Sequence, residues 1–535
     1  MSTRLPLPDW IALKRIARLL IATAAVLLSA CASLPAGIDR QAIASAALPL
    51  SAATQLGQIA IKSLPATEMS GFRLMPLGSY SLDTRLELAR RAQQSLDVQY
   101  YHIQNDETGL YLLRMLRDAA QRGVRVRLLM DDLYTTGEDE LLMGLAAYPN
   151  VQIRLFNPFV VNRELGQTGR FLTAVGDWSR INHRMHNKLF IADGAMAILG
   201  GRNVANEYYL RGAEENFVDL DVFAIGNIVP DLAAIFDRYW NSEAVFPLQS
   251  ITASSQSVQQ LRDAFELATG PDFAPPPAKL PPNDVLGYGP ISEDLVDGQL
   301  GLIFGAAFAL ADDPSKVMNT SSVLSRSGVT YNVLAKAKRA EHEIVVSSPY
   351  LIPGKVGIAY LQEIRNRGIK VQVMTNSLAS TDEPIVHTGY SRYREAMVRM
   401  GVDLYELSSS RLKHNKRQSM LFGTSQGRLH AKLVVIDKKS MFIGSMNLDP
   451  RSASVNTEMG VIIESPQLAR ELLRVIDIDR LQSAYRVQLA PNGSGLQWIS
   501  ADENGEMVLT SEPDSSFLMR LQSWLLSPLV PEELL

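Results

Sequence analysis

Two stretches decide the reading. The first is His186-Asn187-Lys188-Leu189-Phe190-Ile191-Ala192-Asp193, followed by Gly200-Gly201-Arg202-Asn203. The second is His430-Ala431-Lys432-Leu433-Val434-Val435-Ile436-Asp437, followed by Gly444-Ser445-Met446-Asn447. Both obey one rule: His, any residue, Lys, four residues, Asp, six residues, Gly, a small residue, any residue, Asn. The apolar runs 189–192 and 433–436 predict strands that lead to a turn at the aspartate. Side chains two apart on a strand share a face, so each His points with its Lys. The runs 196–199 and 440–443 predict returning strands that deliver the small pair and the Asn. Each set thus gathers an imidazole, an ammonium and a carboxamide on one surface, with small residues that admit close approach. Asp193 and Asp437 complete the motif, but their place on the turn reads as structural.

Working outward, the segments before the two motifs also repeat. The first copy predicts a helix over 82–94, a strand over 96–101, a helix over 109–122 and a strand over 124–130. The second predicts a helix over 333–340, a strand over 343–348, a helix over 356–367 and a strand over 369–375. Arg122-Gly123-Val124 and Arg367-Gly368-Ile369 mark equivalent helix ends, where glycine suits a left-handed cap. Alternation of strands and helices predicts α/β domains, each a mixed, largely parallel sheet flanked by helices. A repeat of roughly 245 residues is a duplicated domain, not a solenoid.

Phosphodiester exchange without a metal needs two histidines. One attacks phosphorus and the other moves the proton of the alcohols. The lysines and asparagines offset charge on the phosphoryl oxygens. A duplicated domain supplies both halves, so the site is expected at their interface. Each histidine also needs a carboxylate to fix its tautomer. Asp219 and Glu458 follow the two motifs at comparable places, each before an apolar strand.

The chain has 535 residues, 46% hydrophobic and 20% charged, with net charge −4. That is globular composition without a global positive field for nucleic acid. Arg4, Lys14, Arg15 and Arg18 precede an apolar run over 19–28 and then Ser29-Ala30-Cys31, a secretory signal too short to span convincingly. Leu28-Ser29-Ala30-Cys31 resembles the bacterial lipoprotein box, which implies cleavage before Cys31 and a lipid anchor on it. The competing readings are an uncleaved anchor or a signal with an unrelated cysteine. Cys31 is the sole cysteine, so no disulfide staples the exported chain. Ala32 and Ser33 include no aspartate, which in enteric bacteria resembles outer-membrane cargo. The expected location is therefore the bacterial envelope, lipid-anchored and facing the periplasm, with the outer membrane favoured. The expected divisions are a signal at 1–30, a tether at 31–65, domains at 66–250 and 326–490, a linker or insert at 251–325, and a hairpin with an amphipathic segment at 491–535. Phe517, Leu518, Leu521, Trp524, Leu525 and Leu526 lie at helical spacing; such a stripe more often packs on its own domain than rests on a membrane.

The two His-x-Lys-x4-Asp motifs resemble those of the phospholipase D superfamily, over residues from about 70 to 490. Asp97-Val98-Gln99-Tyr100-Tyr101, Leu129-Met130-Asp131-Asp132, Leu155-Phe156-Asn157-Pro158-Phe159, His183-Arg184-Met185-His186, Val386-His387-Thr388-Gly389-Tyr390 and Asp449-Pro450-Arg451-Ser452 are similar to the bacterial cardiolipin synthase C group. That resemblance implies transfer of a phosphatidyl group to the free glycerol hydroxyl of phosphatidylglycerol, with phosphatidylglycerol or phosphatidylethanolamine as donor. It implies His186 as nucleophile, His430 as general acid and base, Lys188, Lys432, Asn203 and Asn447 around the phosphate, and no metal or cofactor. Spacing alone leaves the choice of nucleophile open. Gly201 departs from Ser445, so one hydroxyl is missing from the first half. No residue pattern names an accessory protein.

The competing functions are a hydrolase of the same chemistry releasing phosphatidic acid, a nuclease, and a non-catalytic lipid-binding scaffold. Acidic net charge and the lipoprotein box disfavour the nuclease, and two intact motif sets disfavour the scaffold. Weaker signals are the basic runs before each motif, Arg163, Arg170, Arg180 and Arg184, then Arg411, Lys413, Lys416, Arg417 and Arg428. They read either as a cationic mouth for anionic head groups or as solvated charge. Phe171, Leu172 and Trp178 read as interface, lid or core residues; His387 reads as a packed or surface residue, with a substrate role at the edge of the site as the alternative. Asp131-Asp132 reads as hydrogen-bonding, and His102, His342 and His414 lack ligand spacing.

Overall fold

The computed structural model describes residues 34–35, 43–66, 68–160, 163, 165–166, 168–170, 177–318, 328–414, 426–477, 483–502 and 505–527. Cys31, the signal segment, Phe171, Leu172, Lys416 and Arg417 lie outside the described residues.

The first half contains β1 (Ser70–Met75), β2 (Ser95–Tyr100), β3 (Arg125–Asp131), β4 (Val151–Phe156), the hairpin β5 (Lys188–Ala192) and β6 (Met196–Gly200), β7 (Glu215–Val218), β8 (Asp221–Gly226) and β9 (Val245–Pro247). The second contains β10 (Ile303–Ala311), β11 (Glu343–Ser347), β12 (Lys370–Asn376), β13 (Asp403–Leu407), β14 (Gln426–Leu429), the hairpin β15 (Leu433–Ile436) and β16 (Ser440–Gly444), and β17 (Met459–Glu464). Three further strands, β18 (Ala484–Leu489), β19 (Leu496–Asp502) and β20 (Gly505–Leu509), extend the second half's edge as hairpins. Hydrogen bonds order the first half β9-β4-β3-β2-β5-β6-β8-β1. The second half repeats that order as β18-β13-β12-β11-β15-β16-β17-β10.

The duplicated α/β architecture stands, with one correction. Among the described residues only two neighbouring strand pairs in each half are parallel, β2–β3 and β3–β4, then β11–β12 and β12–β13. The sheet is mostly antiparallel because the motif hairpin adds to β2, or β11, in the antiparallel sense. The helix ends behave as read: Gly123 and Gly368 have φ of 95° and 79°, the left-handed region that glycine enters without strain.

The segment 251–325, read as a linker or insert, contributes to the sheet. Its strand β10 pairs with β1 through Ile303–Gly305 and with β17 through Ala306–Ala311, joining both halves in one 18-stranded sheet. An alanine-rich strand gave no alternation to recognise. The tether reading fails over its second part. Thr54 caps the Gln55–Ser63 helix, and Leu56 and Ala60 are buried against the first domain. The Ser45 hydroxyl accepts from Trp240 Nε1 at 2.9 Å, and Arg127 donates to the Ser45 carbonyl at 3.1 Å. A core shared by both halves includes Leu199, Val222, Phe236 and Trp240 with Ile443, Val461 and Leu468. At about 1.5–3 kcal/mol per fully buried large apolar side chain, it fixes the two motif hairpins relative to each other.

Candidate active site

Lys188 opens β5, Lys432 immediately precedes β15, and each hairpin carries its Asp on the far turn. Asp193 accepts hydrogen bonds from the backbone N–H groups of Gln93, Gln94 and Ser95 at 2.8–3.1 Å. Asp437 does the same for Glu341, His342 and Glu343 at 2.7–3.0 Å. Both aspartates sit at φ 52° and fasten the hairpin to the start of the neighbouring strand. They therefore belong outside the catalytic group in which the motif places them.

At the other end the two halves exchange partners. Backbone N–H of His186 donates to the Thr457 carbonyl at 2.9 Å, beside Glu458. Backbone N–H of His430 donates to the Val218 carbonyl at 2.8 Å, beside Asp219, where β7 and β14 pair in parallel across the halves. Each histidine is thereby placed on the other half's carboxylate: His186 Nδ1 lies 3.0 Å from Glu458 Oε2, and His430 Nδ1 lies 2.7 Å from Asp219 Oδ2. His186 Nδ1 also lies 3.1 Å from the Ser445 carbonyl. Two acceptors at Nδ1 require the proton there, which leaves the Nε2 lone pair free for chemistry.

Lys188 Nζ donates to the His186 carbonyl at 2.7 Å and Lys432 Nζ to the His430 carbonyl at 2.6 Å, so both ammoniums stay beside their imidazoles. Asn203 donates to the Tyr208 hydroxyl at 3.0 Å. The side-chain oxygens of Asn203 and Asn447 are buried without a partner among the described residues, capacity that a bound ligand can use.

Burial governs the electrostatics. It pushes His186 down to about 4, against the Glu458 carboxylate and with the Lys188 ammonium. It also lowers His430, aided by Lys432 and opposed by Asp219. Burial brings Lys432 to about 8 and Lys188 well below the usual lysine range. Burial alone would raise Asp219; His430, Lys432 and Arg202 outweigh it and hold the carboxyl at about 2. Glu458 is likewise held low against its burial, chiefly by His186 and Lys188. The site without substrate thus sets ionised carboxylates beside imidazoles and lysines whose charged forms burial disfavours, and an arriving phosphate favours the charged forms of the lysines and of His430.

Sequence reading missed the aromatic walls. Tyr101 stands edge-on to His186 at 5.0 Å, and Lys188 Nζ lies 5.1 Å from its ring centre. Tyr208 and Phe217 flank His430 at 5.1 and 5.0 Å. Tyr101 follows the carboxyl end of β2, the place where parallel strands present ligand sites, and that was the available signal. Tyr350 donates to Asp382 at 2.7 Å, and the Tyr350 carbonyl accepts from the backbone N–H of Leu448, next to Asn447, at 3.2 Å, which puts this loop, half-buried at Asp382 and exposed at Glu383, at the mouth.

The cationic mouth is corrected for the first loop. Arg163 pairs with Asp132 and Asp139, Arg184 with Asp131, and Arg180 with Asp177; Arg170 donates to the carbonyls of Arg163 and Thr135. Asp131 and Asp132 are accordingly structural, as their hydrogen bonds show. In the second loop Arg428 pairs with Glu215 and Arg411 donates to the Ala501 carbonyl. His387 is buried edge-on to Tyr390, 5.4 Å away. Among the described residues no cluster of three or more His, Cys, Asp or Glu is arranged to hold a metal.

Two symmetry-related His-Lys-Asn sets, each locked by the opposite half's carboxylate, define a phospholipase D-type protein. The family model described as "Cardiolipin synthase, PLD-like domain" matches residues 86–240 and 333–479. The chain belongs to this cardiolipin synthase, phospholipase D-like family. It is 38% identical over 476 residues to cardiolipin synthase C of Escherichia coli, covering 86% of this chain and 96% of that one. A cardiolipin synthase of Staphylococcus aureus is 23% identical over 81% of this chain and 72% of its own. Among solved structures, phosphatidylserine synthase of Haemophilus influenzae shares the fold, with TM-score 0.54 and 13% identity, covering 89% of this chain and 99% of that one.

Proposed function

We propose that this protein is a phosphatidyltransferase that makes cardiolipin by phosphodiester exchange. The observation that carries the reading is the crossed pairing of His186 with Glu458 and His430 with Asp219. With Nδ1 engaged on each ring, the two Nε2 atoms, His430's 3.5 Å from the Tyr208 hydroxyl, are the ones offered to one phosphoryl centre. His186 Nε2 attacks the phosphorus of a donor phospholipid, and the bond to the head-group alcohol breaks. His430 gives that alcohol its proton. His430 then takes the proton of an acceptor hydroxyl, on the glycerol of phosphatidylglycerol, whose oxygen displaces His186 and closes the new diester. Lys188, Lys432, Asn203 and Asn447 hold the phosphoryl oxygens.

The partners support this division of labour. His186 is pushed to about 4 and is neutral across the working range, as a nucleophile must be. His430 has the shorter carboxylate contact, 2.7 Å against 3.0 Å, which favours the imidazolium that an acid needs. With Cys31 lipidated, the enzyme is held at a bacterial envelope membrane, facing the periplasm. The test incubates the purified protein with phosphatidylglycerol, with and without phosphatidylethanolamine, and separates products by thin-layer chromatography. Cardiolipin is the expected product. Phosphatidic acid alone would make the protein a hydrolase, with water as acceptor.

A further inference from the structure

The C-terminal helix Phe517–Leu526 is turned inside out. A helix on a protein surface ordinarily buries its apolar stripe and shows its polar face. Here Phe517, Leu521 and Trp524 recur at i, i+4 and i+7, with Leu518 and Leu525 beside them, and that stripe faces outward. Phe517 is 72% exposed, Trp524 71%, Leu518 60% and Leu525 51%. Met519, Arg520 and Ser523 are the half-buried residues, and no residue of the helix is fully buried. The expectation that the stripe packs on its own domain is therefore wrong for the described residues.

The helix is nevertheless anchored. Ser516 caps it, Arg520 donates to the Ser515 carbonyl, and Arg392 of the Pro384–Arg399 helix donates to the Ser527 carbonyl. That supporting helix begins at the site's mouth, directly after Asp382 and Glu383, and Ile385 in its first turn is 44% exposed. From Ile385 to Arg392 the helix rises about 10 Å. One helix thus links the catalytic mouth to the exposed apolar stripe.

We propose that the Phe517–Leu526 helix is an interfacial foot that lies in the surface of a phospholipid bilayer and sets the mouth against the membrane. The proposal rests on the phosphatidyltransferase reading above. It commits to lipid because the stripe adjoins the mouth of a site that takes its substrates from a bilayer. Its make-up, Phe, Leu and Trp outward with an Arg beside them, suits the boundary between head groups and acyl chains. A patch of this kind is not ordinary protein surface.

The experiment uses the full chain with Cys31→Ser, so that an introduced cysteine is the only thiol. An environment-sensitive fluorophore is placed at Leu521→Cys, or at Gln259→Cys on the first half as control. Vesicles of phosphatidylglycerol and phosphatidylethanolamine should blue-shift the label at 521 and leave that at 259 unchanged. In parallel, Phe517→Ser with Trp524→Ser should raise KM about tenfold on vesicles, while turnover of a monomeric short-chain phospholipid stays at the parent level. No vesicle response at 521 overturns the proposal. So does a label already shielded without lipid, which means the chain's own segments cover the face, or shielding that follows protein concentration, which means a second copy does. If the parent chain turns over no soluble phospholipid, the catalytic reading fails instead, and the vesicle shift at 521 still decides the foot.

Discussion

The two halves of the site differ in their carboxylate, Glu458 against Asp219, and in the small residue beside it, Ser445 against Gly201. In the second half, Glu458 accepts from Ser445 and Ser452 as well as meeting His186. In the first half the shorter Asp219 holds His430 from a position directly over Gly201. A Cβ at residue 201 would stand 2.2 Å from Asp219 Oδ1. Gly201 is therefore not a lost hydroxyl. It is the space that the shorter Asp219 occupies to reach His430. The departure from the motif and the Asp-for-Glu difference are one compensated change, and the two histidines end with unequal partners.

The largest test of that inequality removes the histidines. His186→Ala should abolish turnover of every phosphodiester, because the covalent route is gone. His430→Ala should lower turnover of phospholipid by about 10²–10⁴-fold, the usual worth of a general acid. A p-nitrophenyl phosphodiester needs little protonation, so initial release of nitrophenol should survive in the His430 variant and not in the His186 variant. Equal losses on that substrate would erase the distinction.

Next in size are the orienting carboxylates. Asp219→Asn and Glu458→Gln should each cost about 10²–10⁴-fold in kcat, since both fix a tautomer and stabilise an imidazolium. Their pH signatures differ. The acid must carry its proton, so kcat/KM falls as pH rises through the His430 value, already below the ordinary imidazole range. Loss of the Asp219 charge lowers that value further, and the alkaline limb should move to lower pH. Glu458→Gln instead lowers His186 from about 4, which shifts only the acid limb and leaves the profile above pH 5 unchanged in shape. Profiles of kcat/KM for both variants check the assignment.

A smaller effect probes the compensation directly. Gly201→Ser should displace Asp219 and cut kcat roughly tenfold or more, by loosening His430. Adding Asp219→Glu recreates the second half's arrangement and should restore part of the loss, a coupling that a double-mutant cycle measures. Additive losses would mean that the glycine and the aspartate are unrelated. The smallest effect belongs to Ser445→Ala. It takes one donor from Glu458 and leaves Ser452 in place, so a several-fold fall in kcat is expected.

The hairpins, the helix ends and the duplication were legible because they are local. Strand period, glycine caps and a fixed motif spacing are written in consecutive residues. What lay beyond reach was set by contacts between segments far apart. Asp219 and Glu458 were both visible as carboxylates after a motif. That each serves the opposite histidine depends on the β7–β14 pair and on the Thr457 carbonyl, more than 200 residues away in sequence. The arginines of the first loop looked like a cationic mouth until Asp131, Asp132 and Asp139 took them up. Residues 45–63 looked like a tether because their partners, Arg127, Asp237 and Trp240, lie elsewhere in the chain.

The central claim is a covalent intermediate on His186, formed across the crossed pairs. The direct measurement is to quench the enzyme during turnover of phospholipid labelled at phosphorus, digest it and map the label. Acid-labile, base-stable label is expected on the peptide containing His186. This label should also survive His430→Ala when the leaving group is p-nitrophenol. Label on the peptide containing His430 would reverse the roles. No labelled histidine, under conditions that preserve such adducts, would contradict the mechanism.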